Sequence, residues 1–110
     1  MIVTTVNVNG IRAAVKERSA ENRGLLPWLE KTPADVICLQ ETRADDDQLT
    51  EALAPAIDAG WHLASADPHL KGRNGVAVLS RHPITRRTCI VPRVSHWHNS
   101  FRVCSSVTLR

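Results

Sequence analysis

Three short runs rich in β-branched and aliphatic residues, Ile2–Val8, Val36–Leu39 and Gly75–Ser80, are separated by stretches of helical spacing. That order confines the chain to an α/β architecture. Strands of four to seven residues cannot bury both faces by themselves, and intervening helices are the usual cover. The first run ends in Asn9-Gly10, a turn signal. Leu25, Leu26, Trp28 and Leu29 fall at the spacing of one helical face, with Pro27 suited to a first turn and Thr32-Pro33 closing the helix. Val36-Ile37-Cys38-Leu39, bounded by Asp35 and Gln40, reads as a strand covered on both faces, with Cys38 as a small buried hydrophobe.

Asp45, Asp46 and Asp47 stand at the front of a helix carrying Leu49, Leu53 and Ile57, where acids complement the helix dipole. Residues Trp61 to Ala66 form a further strand, and Gly75 to Ser80 a firmer one that His82-Pro83 ends. Beyond Pro83 the periodicity fades, and Ile90-Val91, Val103 and Val107 are strand fragments that nothing positions. The chain divides at that point into a partial domain, 1–84, and a basic tail, 85–110.

Charge marks the same division. All 11 acidic residues lie between Glu17 and Asp67, whereas the last thirty residues carry six arginines and no acid. One reading is a nucleic-acid arm, since arginine clusters neutralise phosphates. The other is that the tail is not native coding sequence, as after a frameshift. No apolar run approaches the roughly 20 residues needed to cross a membrane. The start of the chain lacks the basic and apolar regions of a signal peptide, so a cytoplasmic protein without membrane contact is expected. The cysteines, Cys38, Cys89 and Cys104, have no metal-type spacing, and their odd number argues against a disulfide framework.

Two polar residues stand at strand ends: Asn7 in the first strand and Glu41 just past the second. In an open α/β sheet, ligands gather at the carboxyl ends of strands, so the two side chains can converge. A carboxylate beside an amide oxygen suits a hard cation such as Mg²⁺, which polarises a phosphoryl oxygen. Taken singly, Asn7 serves equally as a turn former and Glu41 as a solvated strand end.

The literal strings narrow the choice. Val6-Asn7-Val8-Asn9-Gly10-Ile11-Arg12-Ala13, then Ala34-Asp35-Val36-Ile37-Cys38-Leu39-Gln40-Glu41-Thr42-Arg43, then Gly72-Arg73-Asn74-Gly75-Val76-Ala77-Val78-Leu79-Ser80-Arg81 resemble successive signatures of the exonuclease III / abasic-site endonuclease family. They occur in the family's order over roughly the first 80 residues. The resemblance implies the amino-terminal part of a two-sheet α/β sandwich of the endonuclease/exonuclease/phosphatase type. It also implies Mg²⁺ (or Mn²⁺) as cofactor and DNA as partner, with cleavage beside abasic sites and from 3′ ends in base-excision repair.

By that resemblance Glu41 is the metal-binding carboxylate. Asn7 helps hold the metal site and the scissile phosphate, Asn9 belongs to the metal site from behind the direct ligands, and Arg12, Arg43, Arg73 and Asn74 contact DNA. Arg43 stands where the family usually has lysine, a change from a point charge to a planar fork. The family's remaining groups are a tyrosine, an Asp-x-Asn segment and a late Asp-His pair. This sequence has no tyrosine and no aspartate after Asp67. His96 and His98, in a His-Trp-His setting without an acid, read as surface histidines.

The chain is therefore expected to hold the metal corner of such a site and to be inactive and poorly soluble alone. Two other readings remain: a non-catalytic DNA-binding fragment, and a phosphodiesterase of the same superfamily acting on phospholipids or inositol phosphates.

Overall fold

The structure, a computed structural model, describes residues 1–66, 75–90 and 103–109. Four strands build the main sheet: β1 (Val3–Asn7), β2 (Val36–Gln40), β3 (His62–Ala66) and β4 (Val76–Ser80). Their order across the sheet is β1-β2-β4-β3, with β1 parallel to β2 and the other two pairs antiparallel. Between β1 and β2 lie α1 (Ile11–Ala14) and α2 (Leu25–Lys31). Between β2 and β3 lie α3 (Asp46–Ala52) and α4 (Ala54–Asp58).

Register explains the core. Val6 lies opposite Leu39, Leu39 opposite Ala77, and Leu79 between Ile37 and Leu63. With a side-chain period of two, these residues share one face of the sheet. Ile37, Leu39, Ala77 and Leu79 on that face are at most 3% exposed, and they pack with Leu25, Leu29, Leu49, Leu53 and Ala56 from the helices. Full burial of each large aliphatic side chain contributes about 1.5–3 kcal/mol, so this layer carries most of the stability.

The opposite face is covered unevenly. Ala64 and Ser80 are buried there, whereas Val3, Thr5 and Asn7 of the edge strand β1 are exposed. A second, two-stranded sheet, β5 (Ile84–Ile90) with β6 (Val103–Leu109), lies alongside β3 and β4. These strands occupy the stretch in which fading periodicity positions nothing. The result is a four-stranded sheet with helices on one face and a second, two-stranded sheet against β3 and β4.

Several expectations require correction. The helix expected to run through Leu49, Leu53 and Ile57 is two helices that meet at Leu53 (φ −99°, ψ 7°). Pro55 sits in the first turn of α4; without an N–H it cannot continue the ladder of α3. Trp28 is 38% exposed, not part of the buried stripe. Leu25 and Leu29, one turn apart, centre that stripe, and Trp28 falls on its margin beside β1. The polar stretch after Gly10 contains the short helix α1, whose buried Ile11 anchors it. Cys38 is half-buried, not fully buried. The strand carrying Asn7 is an edge strand with one exposed face.

Other boundaries follow directly from local chemistry. Pro27 lies in the first turn of α2, and Thr32 is its C-cap. Asp45 forms a capping box at α3: its carboxylate accepts Gln48 N–H at 2.8 Å, and Gln48 Oε1 accepts Asp45 N–H at 3.2 Å. At the other end of the sheet Arg81 closes the structure. Its Nε donates to the Ala34 carbonyl at 2.9 Å and its Nη2 to the Thr32 carbonyl at 2.8 Å. The guanidinium lies 4.3 Å from the Trp61 ring centre.

Candidate metal and phosphate site

β1 and β2 end level, with Asn7 opposite Gln40, and hydrogen bonding continues past the last paired residues. Val8 N–H donates to the Gln40 carbonyl at 3.0 Å, Gly10 N–H to the Glu41 carbonyl at 2.8 Å and Ile11 N–H to the Thr42 carbonyl at 2.8 Å. Thr42 N–H donates in turn to the Gly75 carbonyl, at the entry to β4, at 3.1 Å. Three loops are thereby stitched together at the carboxyl ends of two adjacent parallel strands, where open α/β sheets bind ligands. Asn7, Asn9, Arg12, Glu41 and Arg43 all belong to this stitched region.

The backbone there is strained. Asn9 (φ 46°), Glu41 (φ 54°) and Arg43 (φ 51°) are the non-glycine residues with positive φ among the described residues. Asparagine tolerates this region because its side chain bonds locally. Glutamate and arginine do not share that advantage, and each such residue costs on the order of 1–2 kcal/mol. The strain persists because Thr42, between Glu41 and Arg43, is only 1% exposed and fixed by backbone bonds on both sides. With Thr42 turned inward, the side chains of Glu41 and Arg43 emerge together, and they pair: Arg43 Nη2 lies 3.3 Å from Glu41 Oε2.

Asn7 and Asn9 are coupled as well. Asn7 Oδ1 accepts the Asn9 N–H at 3.0 Å, a local turn that fixes the carboxamide while leaving one oxygen lone pair. Arg12 is exposed on α1, one residue past buried Ile11. Arg73 and Asn74, expected to contact DNA, lie outside the described residues, as do His96 and His98. An open groove of about 780 Å³ between β1 and α2, bordered by Val6, Val8, Leu25 and Trp28, reaches Asn7 but not Glu41.

The donors fit a hard divalent cation in kind: one half-exposed carboxylate and amide oxygens, all oxygen ligands, open enough to leave water on the ion. They supply little charge. No group of three or more His, Cys, Asp or Glu side chains that could hold a metal occurs among the described residues. Glu41 is the one carboxylate among these candidates, and Arg43 already faces it.

Sequence reasoning missed Thr42 and Gly75 as the pieces that hold the site together. The glycine just before a strand was the available signal. A Cβ on Gly75, whose φ is +95°, would overlap Thr42 Oγ1.

Comparison with known proteins agrees with this architecture. The endonuclease/exonuclease/phosphatase family model matches residues 4–103, and the chain belongs to that family. The match runs past Ile84 into the arginine-rich stretch. Among characterised relatives, an exodeoxyribonuclease of Bacillus subtilis is 37% identical over 76 residues, which span 68% of this chain and 26% of that protein. Among solved structures, a 3′–5′ exonuclease from Neisseria meningitidis superposes with a TM-score of 0.65 at 26% identity, covering 87% of this chain and 33% of that one. An AP endonuclease from Archaeoglobus fulgidus superposes with a TM-score of 0.61 at 30% identity, covering 80% and 30%. The chain thus spans about a quarter to a third of these three proteins.

Proposed function

We propose that this chain provides the metal corner of a divalent-cation-dependent DNA phosphodiesterase of the exodeoxyribonuclease and abasic-site endonuclease type. The observation that carries the reading is the stitching of Asn7, Asn9 and Glu41 onto the ends of two parallel strands, in a family whose similar members are DNA nucleases. Glu41 and the Asn7 carboxamide would hold the cation, Mg²⁺ before Mn²⁺, with water completing its coordination. When bound, such an ion polarises a phosphoryl oxygen and offsets charge developing on it.

The chain's own residues do the rest of what this corner can do. Asn9 orients Asn7 through the backbone bond to its carboxamide. Thr42 and Gly75 hold Glu41 at the strand end. Arg12 and Arg43 present positive charge where a phosphate would approach; Arg73 and Asn74 are the further DNA contacts that the family resemblance implies. Groups that orient an attacking water and protonate a leaving group are not supplied by this sequence, which has no tyrosine and no aspartate beyond Asp67. The chain alone should therefore not cleave DNA.

A graft tests the reading. Residues 1–84 of this chain replace the matching segment of the Bacillus subtilis exodeoxyribonuclease, and cleavage of a duplex with one abasic site is followed in Mg²⁺. A cleaving graft that E41Q silences supports the assignment. Equal cleavage by the graft and its E41Q variant refutes it.

A second reading rests on the six arginines and absent acids of the last thirty residues: binding of DNA without chemistry. Affinity would then fall steeply with salt, each neutralised phosphate adding about 0.9 to the slope of log K against log salt.

A further inference from the structure

We infer that Arg43 is a built-in counter-ion that competes with the cation for Glu41, so that this chain sets its own cation affinity through one side chain. The inference rests on the reading of Glu41 as the cation's carboxylate and assigns to Arg43 a role in that site apart from contact with DNA.

The pairing is built into the loop. Glu41 and Arg43 flank Thr42, which is 1% exposed and bonded to both neighbouring loops, so the two emergent side chains have a fixed common origin. Both adopt the left-handed backbone, a conformation neither residue favours and one that the stitched loops impose. The outcome is the one salt bridge among the described residues, Arg43 Nη2 to Glu41 Oε2 at 3.3 Å. The loop that presents the carboxylate also presents a permanent cation to it.

A divalent ion reaching Glu41 has to displace that guanidinium or share the carboxylate with it. Sharing places like charges within a few ångströms, which favours displacement. The bridge is about half exposed at both partners, with side-chain exposures of 47% and 41%, so its opposition is modest. Once displaced, the guanidinium has both N–H edges free, the geometry that grips a phosphate with two parallel hydrogen bonds. Arg43 would pass from Glu41 to a phosphate as the cation arrives, an exchange of partners that keeps Glu41 neutralised until it is needed. A lysine here would hold Glu41 as a point charge without the fork, so the arginine changes how firmly the carboxylate is held as well as what contacts the phosphate.

The experiment is a Mn²⁺ titration of the full chain, without DNA. Binding is read from the electron paramagnetic resonance signal of free Mn²⁺, and site occupancy from paramagnetic broadening of the backbone amide signals of residues 40–43. The parent chain is compared with R43Q, R43K and E41Q. Removing one exposed ion pair should tighten Mn²⁺ binding in R43Q by about two- to fivefold, with R43K between R43Q and the parent. E41Q should lose binding and the local broadening.

If E41Q binds Mn²⁺ as tightly as the parent, Glu41 is not the cation's ligand, and both this inference and the functional reading fall. If E41Q loses binding while R43Q matches the parent, the counter-ion role alone is wrong. R43Q binding more weakly than the parent also overturns it, because Arg43 would then assist the site. So does an R43K no different from R43Q, since charge would then not be what opposes the ion. Amide spectra of the variants, superposable outside residues 9–12 and 40–44, separate these outcomes from a loss of fold.

Discussion

Gly75 and Thr42 are locked face to face: Thr42 donates its N–H to the Gly75 carbonyl at 3.1 Å, and Gly75 has no room for a side chain against Thr42 Oγ1. This contact joins the entry of β4 to the loop that carries Glu41 and Arg43. G75A combines a positive φ, +95°, with an overlap against a buried neighbour that cannot swing away. The expected cost is about 2–3 kcal/mol, from backbone strain near 1–2 kcal/mol plus displacement of Thr42. Urea unfolding would show it as a lowered midpoint with an unchanged slope. A midpoint equal to the parent's would mean the loops are not locked as described.

At the opposite end of the sheet the same kind of fastening depends on one guanidinium. Arg81 bridges the end of α2 and the start of β2 through the carbonyls of Thr32 and Ala34, with its face over Trp61. Lysine keeps the charge but cannot donate to both carbonyls from a planar fork. R81K should therefore lower stability by about 1 kcal/mol, and R81A by about 2 kcal/mol because the ring contact goes too. Denaturant midpoints of the two variants check the ordering; equal losses would assign the whole effect to the two guanidinium hydrogen bonds and none to charge or the ring contact.

The capping box at α3 offers a smaller and more local test. Asp45 satisfies the N–H of Gln48, and Gln48 returns the bond. D45A should cost about 1 kcal/mol, and D45S much less, since serine can still accept that bond. Hydrogen exchange at the amides of residues 46–49 should accelerate in D45A, in step with the loss of stability.

These features differ in how openly the sequence displays them. The capping box is visible as an acid three residues before a glutamine, and the ends of α2 are visible as Pro27 and Thr32-Pro33. The placement of Asn7 and Glu41 at the ends of neighbouring parallel strands follows from the α/β order. The split at Leu53 has a local cause in Pro55, which the apolar spacing of Leu49, Leu53 and Ile57 masks. Trp28 shows the limit of periodicity: a margin residue of a helical stripe turns inward or outward according to what packs beside it, and here the edge strand leaves its flank open. The left-handed Glu41 and Arg43 have no sequence signature, because those residue types have no preference for that conformation and only the stitched loops impose it. β5 and β6 were illegible for a related reason. Strands in an arginine-rich stretch lack clean alternation, and their pairing with each other is not encoded locally.

The edge strand carries the last prediction. Among the described residues β1 is hydrogen-bonded to β2 on one side only, and its exposed Val3 (58%) follows exposed Ile2 (49%) and Met1 (80%). An unpaired edge flanked by exposed aliphatic residues is a template for further strands, and no proline or lysine blunts it. The chain alone should therefore associate, with a light-scattering mass that rises with concentration. V3K places a charge on the exposed face, at a position 58% open to solvent, without touching the packed face that holds Val6 and Ile37. It should return the protein to monomer at concentrations where the parent associates, with stability changed by less than about 0.5 kcal/mol, as usual for surface substitutions. An associated V3K protein would show that the self-contact lies elsewhere, the uncovered part of the sheet face being the next place to examine. A parent chain that stays monomeric and unfolds in one sharp transition would show that β1 is not an adhesive edge.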